Sequence, residues 1–157
     1  MTSADFPAVE TLVLGPRSVR KNSMAGSKRK HRRSRDENRS RFEDAADLYL
    51  EDCYTRLKPV SVKEFAARYL EATQPYVSRI APQLIGTSIR NFLRLRQLSH
   101  AEELLRNTPP KVTVLQIAVA SGFGTPWTFT RWFQKVYGTS PAKYRARMAE
   151  SRARRRR

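Results

Sequence analysis

The sequence predicts an all-α protein, a seven-helix bundle of two helix-turn-helix units joined by a long central helix, with disordered basic tails. Apolar residues recur at helical spacing across residues 41–150, and no strand-like alternation persists there. Two stretches, 61–85 and 113–137, share one layout: a small residue at the helix crossing, Ala66 or Ala118, and a closing Gly-Thr-Ser. Tight helix pairs of this kind follow the helix-turn-helix plan.

The charge is strongly basic and unevenly distributed. The 157 residues carry 31 Lys and Arg against 14 Asp and Glu, a formal net charge of +17. Residues 1–40 and 151–157 are basic and lack apolar periodicity, so we expect a disordered arm and a disordered tail around a folded domain at 41–150. These segments either lie along phosphates or only keep the chain in solution. The charge itself predicts a polyanionic partner.

Several classes of protein are excluded by composition. One cysteine, Cys53, and two histidines, His31 and His100, supply neither a disulfide framework nor a zinc cluster. No catalytic carboxylate pair or phosphate-cradling glycine loop is present, so we expect no enzyme, cofactor or metal. No apolar run approaches the ~20 residues that cross a bilayer, so we expect a cytoplasmic, nucleoid-associated protein with no membrane partner.

The first three helices follow from apolar stripes and capping residues. A stripe predicts a first helix over 43–57. Ser61 and Glu64 form the pattern of a capping box that opens the second helix. Thr73 caps the third helix, which Pro82 should kink or shorten.

The remaining four helices begin at similar signals. Residues 89–107 form the longest helix, which is apolar on nearly every side and therefore central. Thr113 and Thr125 cap the fifth and sixth helices, and Ser140-Pro141 opens the last. The central helix leaves three arginines for solvent or phosphate: Arg90, Arg94 and Arg96.

Three segments in the second unit form a specific pattern: Ile117-Ala118-Val119-Ala120-Ser121-Gly122-Phe123, Phe129-Thr130-Arg131-Trp132-Phe133 and Gly138-Thr139-Ser140-Pro141-Ala142-Lys143-Tyr144-Arg145. With them, the stretch from about Ser61 to Arg147 resembles the DNA-binding domain of the AraC/XylS family of bacterial transcription regulators. The first unit departs from the family pattern at Ala81, Pro82 and Ile89, and Gln97 stands where the family usually has Arg.

The resemblance implies two recognition helices in successive major-groove segments on one DNA face, about 34 Å apart. Because residues 1–40 are too short and polar for the family's usual effector domain, we expect either a stand-alone DNA-binding member or a truncated one.

Candidate DNA contacts come from the N-terminal faces of the third and sixth helices, since that end of a recognition helix enters the groove. Arg can fork onto guanine, Gln can pair with adenine, and Thr can touch a thymine methyl. The base-reading candidates are Gln74, Tyr76, Ser78, Arg79, Trp127, Thr128 and Arg131. The phosphate-binding candidates, at helix N-termini or on basic side chains, are Thr73, Thr113, Thr125, Lys135, Lys143 and Arg145.

The leading hypothesis is a sequence-specific transcriptional regulator that binds double-stranded DNA as a monomer. One alternative is a non-specific nucleic-acid-binding or architectural protein with a degenerate first helix-turn-helix, which Pro82 favours. Another is a protein-interaction module, for example one that docks on RNA polymerase. The sequence predicts neither the target site nor the direction of regulation.

Overall fold

A computed structural model of the protein describes residues 24–155, with side chains from residue 34 onward. This part of the chain is all-α, as predicted, and no helix in it is long and apolar enough to cross a membrane. Residues 1–23 of the predicted arm and 156–157 of the predicted tail lie outside the described residues. The helices are α1 (Met24–Thr55), α2 (Val62–Tyr69), α3 (Gln74–Ile85), α4 (Ile89–Asn107), α5 (Val114–Ala120), α6 (Pro126–Tyr137) and α7 (Pro141–Arg155).

Helix α1 begins much earlier than predicted, so a disordered arm is wrong for residues 24–40. With 32 residues, α1 rather than the 19-residue α4 is the longest helix of the described chain, contrary to the prediction. Once the apolar stripe near Phe42 is packed, each added residue extends an existing helix without a new nucleus. The added segment contains five Arg and two Lys residues, which are good helix formers. Arg35 also donates to the carbonyl of Gln83 in α3, at 2.7 Å.

The disordered tail is likewise wrong for residues 151–155, which continue α7. A guanidinium nitrogen of Arg152 lies 3.2 Å from the side-chain oxygen of Asn107, at the end of α4. The same argument applies here as for α1, because the packed part of α7 supplies the nucleus.

The predicted capping residues begin their helices, with differences at two of them. The hydroxyls of Thr113 and Thr125 accept backbone N–H groups of their own first turns, and Thr113 is part of a complete capping box. Thr73 is an N-cap without a side-chain hydrogen bond. At Ser61 only half of the predicted box forms, because the carboxylate of Glu64 pairs with a guanidinium instead.

Two apolar clusters are formed along the chain, and α4 contributes to both. Its N-terminal half packs Ile89 and Leu93 against α1, α2 and α3. Its C-terminal half packs Leu98, Ala101 and Leu105 against α5 and α6. This confirms the central position predicted for α4, and it means that one helix sets the relative placement of the two units.

The two helix-turn-helix units have the same internal spacing. The caps of the second unit, Thr113, Thr125 and Gly138, each lie 52 positions after those of the first, Ser61, Thr73 and Gly86. Helices α3 and α6 both have 12 residues and end at a glycine in the left-handed region. Each position on α3 therefore has a counterpart on α6.

The expectation that Pro82 would shorten α3 is wrong. The helix continues through Pro82 to Ile85. Proline removes the hydrogen bond to the residue four positions earlier, here Ser78. Both residues are exposed, and the neighbouring buried position is Ala81, so little side-chain bulk crowds the altered turn.

Candidate nucleic-acid interface

Helix α6 has one packed face and one polar face at its N-terminal end. Phe129 and Phe133 are fully buried, whereas Trp127 is 68% exposed. Arg131 is also exposed, and its guanidinium carbon lies 5.2 Å from the centre of the Trp127 ring. This contact holds the arginine along the exposed face of the helix, where a flat cation can meet an acceptor edge.

Helix α3 repeats this arrangement. Val77 and Ala81 are buried, and the exposed Arg79 lies 5.6 Å from the ring centre of Tyr76. Arg79 and Arg131 are counterparts under the 52-residue spacing. Both helices thus present an arginine next to an aromatic ring within their first two turns.

The recognition helices border one continuous surface, to which α4 contributes the middle. A first surface pocket is bordered by Lys63 of α2, Gln74 of α3 and the α4 arginines Arg90 and Arg94. A second pocket is bordered by the same two arginines and by Trp132 of α6. We call these five residues the central surface. Because the two pockets share Arg90 and Arg94, α3 and α6 open onto the same side of the molecule.

A third pocket continues along the exposed face of α6. Its lining residues are Trp127, Thr130, Arg131, Gln134 and Lys135. Among the residues whose side chains are described, no Asp or Glu lines this pocket or either pocket of the central surface. A polyanion would therefore meet cationic and hydrogen-bonding groups along the whole path from α2 to α6.

Most of the predicted contact residues are accessible. Nine are exposed: Thr73, Ser78, Arg79, Thr113, Thr125, Trp127, Arg131, Lys135 and Lys143. Four are partly buried: Gln74, Tyr76, Thr128 and Arg145. The structure brings Trp127, Arg131 and Lys135 together in the α6 pocket and places Gln74 on the central surface. The other nine line none of these three pockets: Thr73, Tyr76, Ser78, Arg79, Thr113, Thr125, Thr128, Lys143 and Arg145.

Arg145 departs from its predicted role as a phosphate contact. One of its terminal nitrogens donates to the carbonyl of Val112 at 2.5 Å, in the loop that leads to α5. Its other two guanidinium nitrogens are buried and have no partner within the described part of the chain. In this position the guanidinium fastens the loop to α7, because the nitrogens that phosphate would need are covered.

The sequence did not decide whether the arginines of α4 contact solvent or phosphate. The structure places these arginines in different environments. Arg96 forms an ion pair with Asp47 of α1, at 2.6 Å. Arg94 instead lies over two aromatic rings, 5.1 Å from the centre of Phe123 and 5.8 Å from that of Trp132. Burial, and then the positive charge of Arg90, lower the pKa of Arg94. The four-residue spacing of Arg90 and Arg94 places them on one helix face and is the sequence signal that sets them apart from Arg96.

A hydrogen-bonded junction fixes the second unit against α4. The side-chain nitrogen of Gln97, which is 2% exposed, donates to the carbonyls of Ser121 and Gly122 at 3.0 and 2.7 Å. The backbone N–H of Val60 also donates to the Gly122 carbonyl, at 2.9 Å. This turn leads directly into α6, so its anchoring positions the second recognition helix.

Comparison with known proteins gives a consistent result. The model of a family described as a helix-turn-helix domain matches residues 66–147, just over half of the chain. The chain is 32% identical over 81 residues to the F1 operon positive regulatory protein of Yersinia pestis, covering 52% of this chain and 24% of that protein. It is 34% identical over 70 residues to the probable transcription factor PqrA of Proteus vulgaris, covering 45% of this chain and 56% of that protein.

A solved structure extends the likeness to the fold. The DNA-binding domain of AdpA, a global transcriptional factor in complex with a target DNA, superposes with a TM-score of 0.60 at 26% identity. The match covers 74% of this chain and 96% of that one. The chain spans between about a quarter and just over half of the two curated relatives named above. These relatives are named as a regulatory protein and transcription factors, and the chain belongs to the AraC/XylS family of helix-turn-helix transcriptional regulators.

Proposed function

We propose that this regulator binds double-stranded DNA sequence-specifically, by inserting α3 and α6 into adjacent major-groove segments. The observation that carries the proposal is the equivalence of Arg79 and Arg131. Each lies beside an aromatic ring on the exposed face of a recognition helix, and both helices border the same surface. Successive major-groove segments on one DNA face lie about 34 Å apart, which suits two such helices on one rigid support.

Base reading is assigned to the polar faces of the two helices. Arg79 and Arg131 each present a guanidinium fork that matches O6 and N7 of guanine, and Gln74 matches adenine. Thr128 places a methyl group in reach of thymine, while the exposed ring of Trp127 covers a sugar or a thymine methyl. Tyr76 and Ser78 complete the proposed base-contacting set on α3.

Phosphate contacts are proposed at the edges of the groove. The helix N-termini at Thr73, Thr113 and Thr125 offer backbone N–H groups, and Lys135 and Lys143 offer exposed cations. Such contacts fix register and orientation without reading sequence. On this proposal the protein acts as a monomer on DNA in the cytoplasm, and RNA polymerase is a further partner to be tested.

The decisive experiment is selection of bound duplexes from a random pool, followed by titration at fixed salt. We expect a recovered site with two conserved blocks about one helical turn apart, bound about a thousandfold or more tightly than a shuffled duplex of the same composition. Equal affinity for both duplexes would instead favour the alternative, a non-specific or architectural protein. A single conserved block would mean that only one unit reads bases.

A further inference from the structure

We propose that Arg90 and Arg94 of α4 bind phosphates of the DNA backbone between the two major-groove segments, as a third contact that reads no bases. The inference rests on the proposed function, because it requires both recognition helices on one face of a duplex. Between two successive major-groove segments on that face lies the minor groove with its two flanking strands. The part of the protein opposite those strands is the one that lies between α3 and α6.

The placement of the two arginines meets this requirement. Both border the pocket next to Gln74, and both border the pocket next to Trp132. They are therefore the residues that the α3 side and the α6 side of the interface have in common. A duplex lying across both helices passes over this surface, and the part of a duplex most exposed to a flat protein surface is its phosphate backbone.

The two side chains are available to an anion. Among the described residues, neither Arg90 nor Arg94 forms an ion pair, whereas Arg96, on another face of the same helix, is paired with Asp47. Hydroxyl and amide groups from Ser88 and Asn91 border the second pocket and offer further donors. The chemistry of this surface is that of a phosphate-binding site with no competing carboxylate.

Arg94 is also held in place before DNA binds. Its guanidinium lies over the rings of Phe123 and Trp132, both of which belong to the second unit. A flat cation stacked on aromatic rings loses less freedom when it binds a phosphate than a long free side chain does. Burial and the neighbouring Arg90 charge, which lower the pKa of Arg94, make its charged form more costly, and a phosphate would offset that cost.

The test measures how affinity depends on salt. The variants are Arg90→Ala and Arg94→Gln, and the matched control is Arg96→Gln, which removes a paired arginine from the same helix. The DNA affinity of each variant is measured at salt concentrations from about 0.05 to about 0.5 M, on the selected duplex and on a shuffled duplex. We expect each test variant to reduce the slope of log K against log salt by about 1 and to weaken binding about tenfold at ~0.1 M salt, equally on both duplexes. The control should leave the slope unchanged.

Other outcomes would overturn the proposed phosphate contact or would show that the proposed sequence specificity is wrong instead. Unchanged slopes for both test variants would overturn it, and so would a loss confined to the selected duplex, because that result means base or groove-shape reading. Arg90 is exposed and, among the residues whose side chains are described, lies over no aromatic ring, so its variant keeps the test valid if Arg94→Gln lowers the melting temperature. Equal binding of the wild type to both duplexes would refute the proposed specificity, while the slope change on the shuffled duplex would still test the third contact.

Discussion

The side-chain nitrogen of Gln97 lies 2.7 Å from the carbonyl oxygen of Gly122, and this bond joins the central helix to the turn of the second unit. At this position the family pattern usually has an arginine. The neutral amide makes two bonds to carbonyl oxygens in a nearly fully buried site, so no charge is placed in the interior. Gln97 therefore joins α4 to the turn before α6 without placing a charge in the core.

We predict that Gln97→Ala destabilises the protein by about 1–3 kcal/mol, because it leaves a buried carbonyl without its partner and opens space in the core. Urea unfolding followed by circular dichroism measures the change. The control is Ser99→Ala, an exposed position on the same helix, which should shift the unfolding free energy by less than about 0.5 kcal/mol. Equal effects of the two variants would show that the Gln97 bonds contribute nothing.

Gly122 gives a second prediction, since two properties restrict it to glycine. Its φ is +70°, and an added Cβ would lie 2.9 Å from a methyl group of Val60. Gly86 has nearly the same φ, +73°, but an added Cβ there would meet nothing within 4 Å. We expect Gly86→Ala to cost about 1–2 kcal/mol from backbone strain alone, and Gly122→Ala to cost about 1–3 kcal/mol more from the clash. Thermal unfolding of the two variants separates the contributions, and similar melting temperatures would contradict the clash.

A third prediction concerns Arg79 and Arg131, the two arginines at equivalent positions of α3 and α6. We expect Arg79→Ala and Arg131→Ala each to weaken binding to the selected duplex by about 1–3 kcal/mol and to relax one base position, in different halves of the site. Repeating the selection with each variant identifies the position. A loss of affinity with the base preference retained would show that the arginine contacts phosphate instead.

The fourth prediction concerns His100, whose ring is stacked on Tyr54 with centres 4.0 Å apart. Burial lowers the pKa of His100 below its ordinary value of 6.5, and Glu103 only partly opposes this. The unfolded chain therefore takes up this proton at a higher pH than the folded protein, and stability falls as the pH drops below about 6.5. Urea titrations at pH 7.5 and 5.5 should show a smaller loss of stability for His100→Phe, which keeps the stacking but does not titrate. Equal losses for variant and wild type would contradict the assignment.

The parts of the fold that depend on local chemistry were predictable from the sequence. Helices α2 to α7 begin at Ser, Thr or Pro signals, whose effect is confined to one turn. The helical N-terminal half of α1 was not predictable from the sequence, because this arginine-rich segment has no apolar pattern. Its helicity depends on residues that are packed further along the chain, such as Phe42. The continuation of α3 through Pro82 was not predictable either, because it depends on the exposure of Pro82 and on the small neighbouring side chain of Ala81.

The surroundings of the candidate contact residues were predictable only in part, for a related reason. Exposed polar residues near the starts of α3 and α6 can be read from helical periodicity, which identifies Arg79 and Arg131. The different environments of Arg94, Arg96 and Arg145 cannot, because each depends on a residue distant in sequence: Phe123, Asp47 and Val112 respectively. Identical side chains therefore acquire different roles through tertiary packing.

The 19-residue length of α4 has a consequence for the register of the two units. Each residue in a helix adds about 1.5 Å of length and about 100° of rotation between the elements at its two ends. Inserting one alanine into α4 would turn α6 by about 100° away from the surface that it shares with α3, whereas inserting four would leave it turned by only about 40°, at a greater distance. The number of residues in α4 therefore sets both the distance and the relative orientation of α3 and α6, and on the proposed function it would also set the spacing of the two DNA half-sites.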